Sequence, residues 1–266
     1  MKSFIYFILI LLCFSPMSIY GEKYVSKIKD MPDFCQGDTR YGKLPNLGVS
    51  HCGPVAVSNA LMWLSQNGFS NIYKSKYVGA QKQYDMILTI SSSEYMKTQK
   101  KKGTQPKQIV SGLEKFVNNS GYGVEIETMG WRSKSKRIGK IPDINWMLNS
   151  VKNNSNLILN IGWYVYDNAN NYYHRTNGHY VTVTGFDTDG DFPNFYVHDP
   201  ANRDGLSKKT IVCTPKKLRR NAKLQLKSGK TISSEGFFEL QGLKVKKGND
   251  LAIIDGAIAF TVFTDN

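Results

Sequence analysis

The hydrophobic pattern of residues 52–66 predicts a helix that begins at a cysteine. Four apolar residues recur at i, i+3, i+4 and i+7, which is the spacing of one buried helical face. These residues are Val57, Ala60, Leu61 and Leu64. Pro54 suits only the first turn of a helix, and Asn67-Gly68 is a typical stop signal. Cys52 is therefore predicted to occupy the start of this helix.

The other apolar patterns predict helices in the first half of the chain and strands in the second. A short lead-in strand at 22–30 precedes a turn-rich loop, and a further strand fits residues 122–131. Helical patterns lie at 79–97, 106–117 and 144–152. Strand patterns lie at 156–166, 179–186, 194–199, 209–213 and 251–263. This separation of helices from strands is typical of an α+β fold.

Two of the predicted strands each carry one residue suited to acid–base chemistry. His179 and Asp199 each share the face of their strand with two apolar residues. The apolar residues are Val181 and Val183 in the first strand, and Phe195 and Val197 in the second. A hairpin centred on Asp189 pairs these apolar residues on one buried face and sets His179 opposite Asp199. The pattern thus predicts a base beside the group that orients it.

His179 and Asp199 could also serve the fold alone and have no catalytic role, and three other histidines are alternative candidates for the base. His179 could be a hydrogen-bonded core residue, and Asp199 could begin a turn. His198 projects to the opposite face of its strand, His174 falls in a loop predicted at 168–178, and His51 directly precedes the cysteine. The pattern favours His179 over these three.

Two segments are weak metal-binding signals. The spacing of His174 and His179 suits a metal, but no helix is predicted there and no third ligand follows. The segment DTDGD at 187–191 resembles part of a calcium loop but lacks the terminal glutamate, so we interpret it as a hairpin turn. No metal site is predicted.

A cysteine at the start of a helix is a candidate nucleophile. Unpaired backbone N–H groups and the positive end of the helix dipole favour the thiolate of Cys52 over the thiol. The thiolate is the reactive form. The structural alternative is a small buried cysteine that only packs.

The first 21 residues have the layout of a secretory signal peptide. Lys2 precedes an apolar run over residues 4–14, and small residues lead to Gly21, after which we expect cleavage. The run is shorter than the roughly twenty residues that span a bilayer, and no later segment is long and apolar enough. Cys13 follows a leucine instead of a small residue, which argues against lipid attachment. We therefore predict a secreted or periplasmic domain over residues 22–266, with no transmembrane segment.

The chain is strongly basic. Its net charge is +14, and removal of residues 1–21, whose only charge is Lys2, leaves +13. Such a charge fits loose association with anionic surfaces, or simply a solvated lysine-rich surface, and it does not indicate a chemistry. Exposed basic loops are predicted at 97–108 and 132–140. The chain has no phosphate-binding or dinucleotide-binding motif, so neither a cofactor nor a specific nucleic acid is predicted.

Three cysteines remain after the predicted cleavage. An odd number in an exported protein suggests one free thiol beside one candidate bridge. If Cys52 is the free thiol, Cys35 and Cys213 are left to pair, although the sequence does not establish the geometry of a bridge.

The order and local sequence of four residues resemble those of papain-like cysteine peptidases. Gln36 precedes Cys52, which lies in a CGP motif at the helix start. His179 in GHYVTVTGF and Asp199 in HDP follow. The nearest likeness is to the bacteriocin-processing branch, in particular to its free-standing, exported bacterial members without a transporter. It covers residues 32–202 and leaves the strand-rich extension at 203–266 outside, so substrate choice is not carried over.

This resemblance implies a two-lobed papain-like fold, with the cysteine on an N-terminal helical part and the histidine and aspartate on a C-terminal antiparallel sheet. It implies Cys52 as nucleophile, His179 as general base and then acid, Asp199 as its orienting group, and Gln36 as donor to the oxyanion. The implied activity is hydrolysis of a peptide or protein substrate through a thioester acyl-enzyme on Cys52. An acyltransferase or amidase with the same triad, or a basic surface-binding protein with a vestigial site, are the alternatives.

Overall fold

The computed structural model of this protein describes residues 23–24, 27, 29–201 and 208–264. The predicted signal peptide, its cleavage after Gly21 and Cys13 lie outside the described residues. Among the described residues of the lead-in segment at 22–30, Lys23–Tyr24 form a strand and residues 27, 29 and 30 lie in turns, so the strand predicted there was too long.

Four α-helices lie in the described chain, close to the positions that the apolar patterns predict. They are α1 (Cys52–Gln66), α2 (Gly79–Ser91), α3 (Pro106–Asn119) and α4 (Ile144–Lys152). Helix α2 ends six residues earlier than predicted, because Ser92 has an extended backbone and its carbonyl oxygen accepts from two later N–H groups in a turn. None of the described helices is long and apolar enough to cross a membrane.

Helix α1 is buried on all sides, whereas its sequence predicts one buried face. Every residue from Gly53 to Leu64 is buried. The polar members are accommodated by hydrogen bonds: the side-chain oxygen of Asn59 accepts from the backbone N–H of Phe34 at 3.1 Å and from the side-chain amide of Gln83 at 2.7 Å. This burial fixes the helix start, and therefore Cys52, firmly within the protein.

The strands of the described residues form one largely antiparallel sheet of eleven strands. They are β1 (Lys23–Tyr24), β2 (Gly123–Gly130), β3 (Arg137–Gly139), β4 (Asn156–Asp167), β5 (Tyr172–Asp187), β6 (Asn194–His198), β7 (Thr210–Lys217), β8 (Lys223–Gln225), β9 (Thr231–Ser233), β10 (Phe238–Gln241) and β11 (Leu251–Phe263). The helices precede most of the strands, which confirms the α+β class.

Six of these strands close into an antiparallel barrel. The pairing runs β4-β5-β6-β7-β10-β11 and returns from β11 to β4. Alternate side chains fill the barrel, among them Leu159, Val181 and Val197, while Ile158 and Tyr180 face the opposite way and pack in one cluster with helices α1 to α3. The cysteine helix therefore lies on the outer wall of the barrel, against β5.

The predicted register of the β5–β6 hairpin was wrong by two residues. Val183 lies opposite Val197, where the prediction paired it with Phe195. The turn spans residues 188–193 and is therefore centred past Asp189, and a bulge between Val183 and Gly185 shifts the pairing again. A shift of two residues keeps the alternation of faces, so His179 and Asp199 still share a face, as diagonal neighbours.

Strand β5 begins earlier than its apolar pattern suggests. Residues 172–178 were predicted as part of a loop, but they pair with β4 and carry His174 within the strand. Four short strands, β3, β8, β9 and β10, were not predicted, since their sequences are too short or too polar to show a clear period of two.

Candidate active site

His179 and Asp199 are in direct contact at the mouth of the barrel. Nε2 of His179 lies 2.6 Å from Oδ1 of Asp199, and both residues are buried. The same carboxylate oxygen also accepts from the backbone N–H of Ala201 at 2.8 Å, which fixes its orientation. The barrel register brings the two side chains together.

Cys52 is the first residue of α1 and lies beside the same imidazole. Its side chain lines the same cleft as His179 and interacts with the imidazole, and because Nε2 of the ring is taken by Asp199, Nδ1 is the nitrogen available to the sulfur. His51 precedes the helix without a side-chain cap, so no side chain of the described residues competes for the first backbone N–H groups. The helix start and the barrel mouth thus meet at one thiol–imidazole pair.

The pKa of His179 is raised by its partners. Burial alone lowers the pKa of the ring, but the Asp199 carboxylate, through its charge and its hydrogen bond, and the Cys52 sulfur outweigh burial and bring the pKa to about 10. The imidazole is therefore protonated at neutral pH. The protonated ring can donate to the carboxylate through one nitrogen and to the sulfur through the other.

Gln36 lies at the same cleft as Cys52 and His179. Its backbone N–H donates to the carbonyl oxygen of Pro200 at 2.8 Å, which ties it to the segment that carries Asp199. Its side-chain oxygen is buried without a hydrogen-bond partner among the described residues. Of the predicted site residues, Cys52, Gln36 and His179 line one cleft. Asp199 does not line the cleft, but it contacts the imidazole of His179.

The backbone of Gln36 has room only because residue 48 is a glycine. Gly48 has φ +77°, and a Cβ atom on it would lie 1.7 Å from the carbonyl oxygen of Gln36. A larger residue at this position would have to displace Gln36, and the left-handed backbone independently favours glycine.

Trp163 is a site residue that the sequence analysis missed. Its ring stacks on the imidazole of His179 at a centroid distance of 5.6 Å and an interplanar angle of 22°. It is buried and lines the cleft, so it shields the ring from water on one side. No signal in the sequence distinguishes it from other aromatic residues of the strand.

A buried ion pair was also missed. Nε of Arg175 donates to Oδ2 of Asp255 at 2.6 Å, and Asp255 is fully buried in β11. The other oxygen of Asp255 accepts from Tyr164 at 2.6 Å and Trp131 at 3.1 Å. A lone carboxylate within the apolar run LAIIDGAIAF was the available signal, because a buried acid needs partners.

The rival histidines have other partners. His198 is buried and bonds to the carbonyl oxygen of Pro32 and to Thr210, each at 3.0 Å. His174 faces Asp167 at 3.5 Å, away from the cleft. His51 is buried, and burial lowers its pKa. None of the three lines the cleft around Cys52.

The cysteines do not form the candidate bridge. Cys35, Cys52 and Cys213 are all free thiols. Cys213 points into the barrel, and burial raises its pKa to about 12, whereas the sulfur of Cys35 lies 3.6 Å from the carbonyl oxygen of Ala201. The candidate bridge between Cys35 and Cys213, which the sequence left open, is therefore not formed.

An α+β fold that brings a helix-start cysteine to a histidine on a barrel strand defines the class of papain-like cysteine peptidases. Residues 28–220 match the model of the Peptidase_C39 like family, and the chain belongs to that family. The predicted family resemblance is thereby confirmed. A search among curated proteins found no match.

Proposed function

We propose that this protein is a secreted cysteine peptidase that hydrolyses peptide bonds through a thioester on Cys52. The observation that carries the proposal is the contact of one buried imidazole with two groups at once: Asp199 at 2.6 Å and the sulfur of Cys52. This is the geometry that a nucleophile, a base and an orienting group require. Family membership points to the same reaction class.

In the proposed reaction, the Cys52 sulfur forms a bond to the substrate carbonyl carbon, and the carbonyl oxygen becomes an oxyanion. The backbone N–H of Cys52 and the side-chain amide of Gln36 donate to that oxygen. The C–N bond then breaks as the protonated His179 gives its proton to the leaving amine. Water attacks the thioester, His179 accepts a proton from it, and the acid product leaves the regenerated thiolate.

Two further assignments belong to this proposal. Secretion rests on the signal-peptide layout of residues 1–21. A two-lobed papain-like arrangement is supported by two separate apolar clusters, one around helices α1 to α3 and one inside the barrel, with Cys52 packed against the first. The domain limits of 22–266 remain a prediction.

The reactivity of the Cys52 thiol is tested by intact-mass spectrometry after treatment with iodoacetamide. We expect one fast adduct, on Cys52, because the buried thiols Cys35 and Cys213 are poorly accessible. His179→Ala should suppress that adduct. Slow labelling of Cys52 that is indifferent to His179→Ala would contradict catalysis and favour a vestigial site.

The reaction class is tested by product analysis on a peptide library. We expect free carboxylic acid products, with no change when a primary amine is added. Products that incorporate the amine would instead identify an acyltransferase with the same residues. Wild-type protein with Cys52→Ala as the inactive control separates either result from a contaminating peptidase.

A further inference from the structure

The cleft around Cys52 is lined by basic side chains. Two arginines and seven lysines line it, and no acidic residue of the described chain does, although the whole sequence contains 21 aspartates and glutamates. The cleft has a volume of about 670 Å³. A cleft walled by one sign of charge concentrates molecules of the opposite sign and speeds their association.

The seven lysines come from three segments, and together we call them the cationic rim. Three lie in the connector at 100–102, and the others are Lys227, Lys244, Lys246 and Lys247. Those four lie beyond residue 220, where the family match ends. Lys227 sits in the turn between β8 and β9, and the last three lie between β10 and β11. The rim is thus largely a feature of the extension of this chain.

The two arginines of the cleft differ in how their charge is balanced. Arg175 is paired with the buried Asp255 at 2.6 Å. Arg132 has no ion-pair partner among the described residues; its Nη2 donates to the side-chain oxygen of Gln105 at 3.5 Å, and its Nε is buried without a hydrogen bond. Burial and the positive charge of Arg175 lower the pKa of Arg132, although the Asp255 carboxylate partly opposes them. A half-buried guanidinium without an ion-pair partner gains from a bound carboxylate, which it can contact through two N–H groups.

We propose that the cleft selects an acidic peptide segment, with Arg132 as ion-pair partner of a substrate carboxylate and the cationic rim attracting the segment. The turnover of such a peptide rests on the proposed function, whereas its binding does not. A nucleic acid fits less well, because the aromatic residues of the cleft, Trp163 and Tyr180, are buried and offer no stacking surface for bases.

Binding is measured first, on Cys52→Ala protein, by fluorescence anisotropy. The probes are a glutamate-rich peptide and the same peptide with glutamine in place of glutamate. We expect the acidic peptide to bind at least about tenfold more tightly at low ionic strength, and this ratio should fall with added KCl. Equal binding of the two peptides overturns the proposal. So does tighter binding of an RNA oligonucleotide of equal charge, which would assign the cleft to another ligand.

Charge-removing variants test which residues cause the preference for the acidic peptide. Arg132→Gln, and separately the triple change Lys244→Gln, Lys246→Gln and Lys247→Gln, should each remove most of the preference for the acidic peptide. The matched control is Lys74→Gln, Lys140→Gln and Lys216→Gln, which removes the same charge from positions outside the cleft and should keep the preference. Equal loss in both triple variants would overturn the proposal, since the whole protein charge would then be responsible.

Hydrolysis by wild-type protein separates this inference from the proposed function. Tight binding of the acidic peptide without its cleavage would leave the anion site standing and refute the peptidase. Cleavage of both peptides with equal kcat/KM, and equal binding, would support the peptidase and refute the acidic preference. The rim lysines are exposed, so their triple variant keeps the test valid even if Arg132→Gln does not fold.

Discussion

The ring of Trp163 stacks on the ring of His179 at 5.6 Å and 22°. This contact covers one face of the imidazole that joins Cys52 to Asp199 and keeps water from it. Aromatic pairs contribute about 0.5–1.5 kcal/mol beyond the area that they bury. The stack therefore stabilises the geometry in which the ring holds the sulfur.

We expect Trp163→Leu to slow alkylation of Cys52 by iodoacetamide about fivefold, since a loss of about 1 kcal/mol corresponds to that factor. The matched control is Trp146→Leu, a half-buried tryptophan of α4 that does not line the cleft. The measurement is the second-order rate of adduct formation by mass spectrometry. Equal slowing in both variants would show that the stack has no specific effect.

The raised pKa of His179 predicts how the site affects stability across the pH range. The folded-state value is about 10, against an ordinary value of 6.5. A base whose pKa is raised by folding stabilises the fold fully below pH 6.5, and this contribution is lost as the pH rises to 10. The difference in unfolding free energy between wild type and His179→Gln should therefore shrink over that interval.

Urea denaturation at several pH values measures this difference. Lys27 has the opposite sign, because burial lowers its pKa to about 7 and its charging costs stability as the pH falls. Its contribution is common to both proteins and cancels in the comparison. A difference that stays constant across the interval would mean that His179 is not held protonated by its partners.

Gln36→Ala should lower kcat by about 10²–10³, because it removes one fixed donor to the oxyanion. The assay is hydrolysis of the fastest peptide found by library profiling. Alkylation of Cys52 passes through no oxyanion, so its rate should be unchanged in this variant. Parallel loss of hydrolysis and alkylation would indicate that Gln36 supports the nucleophile instead.

Gly48→Ala should damage the site through the backbone of Gln36. The added Cβ would lie 1.7 Å from the carbonyl oxygen of Gln36, in a backbone with φ +77°. Gly68→Ala is the matched control, because Gly68 has φ +100° but no atom within 4 Å of the added carbon. We expect Gly48→Ala to lose about 1–3 kcal/mol more unfolding free energy than the control, and to lose kcat. Thermal denaturation and peptide hydrolysis measure the two effects.

Asp255→Ala should lower the free energy of unfolding by about 3–5 kcal/mol, because it leaves the buried charge of Arg175 without its partner. Urea denaturation measures the loss. Arg175→Met in the same protein should restore part of it, since the uncompensated charge is then gone. If the two changes are simply additive, the 2.6 Å contact does not couple the residues.

The sequence predicts the elements better than the contacts between them. The helix from Cys52 and the strand at 251–263 follow from long, regular apolar patterns. The β5–β6 register was wrong, because a bulge and the position of a turn depend on packing that alternation alone does not reveal. His179 and Asp199 still meet, since an even shift preserves the face.

The residues that the sequence analysis missed act through distant partners. Trp163 contacts His179 across neighbouring strands, and Arg175 contacts Asp255 eighty positions away. Such pairs exist only once the barrel has closed, and no local period marks them. The basic cleft was missed for the same reason: the total charge was evident, but its distribution was not.

Strands β10 and β11 complete the barrel, and the turn between them carries three of the rim lysines. The same C-terminal segment therefore supplies two strands of the barrel and three lysines of the cationic rim. Truncation at residue 220, where the family match ends, would remove β10 and β11 and open the barrel that carries His179, whereas substitutions in the turn between these strands would leave the barrel closed. Substitution of Lys244, Lys246 or Lys247 therefore changes the charge of the cleft without altering any strand of the barrel.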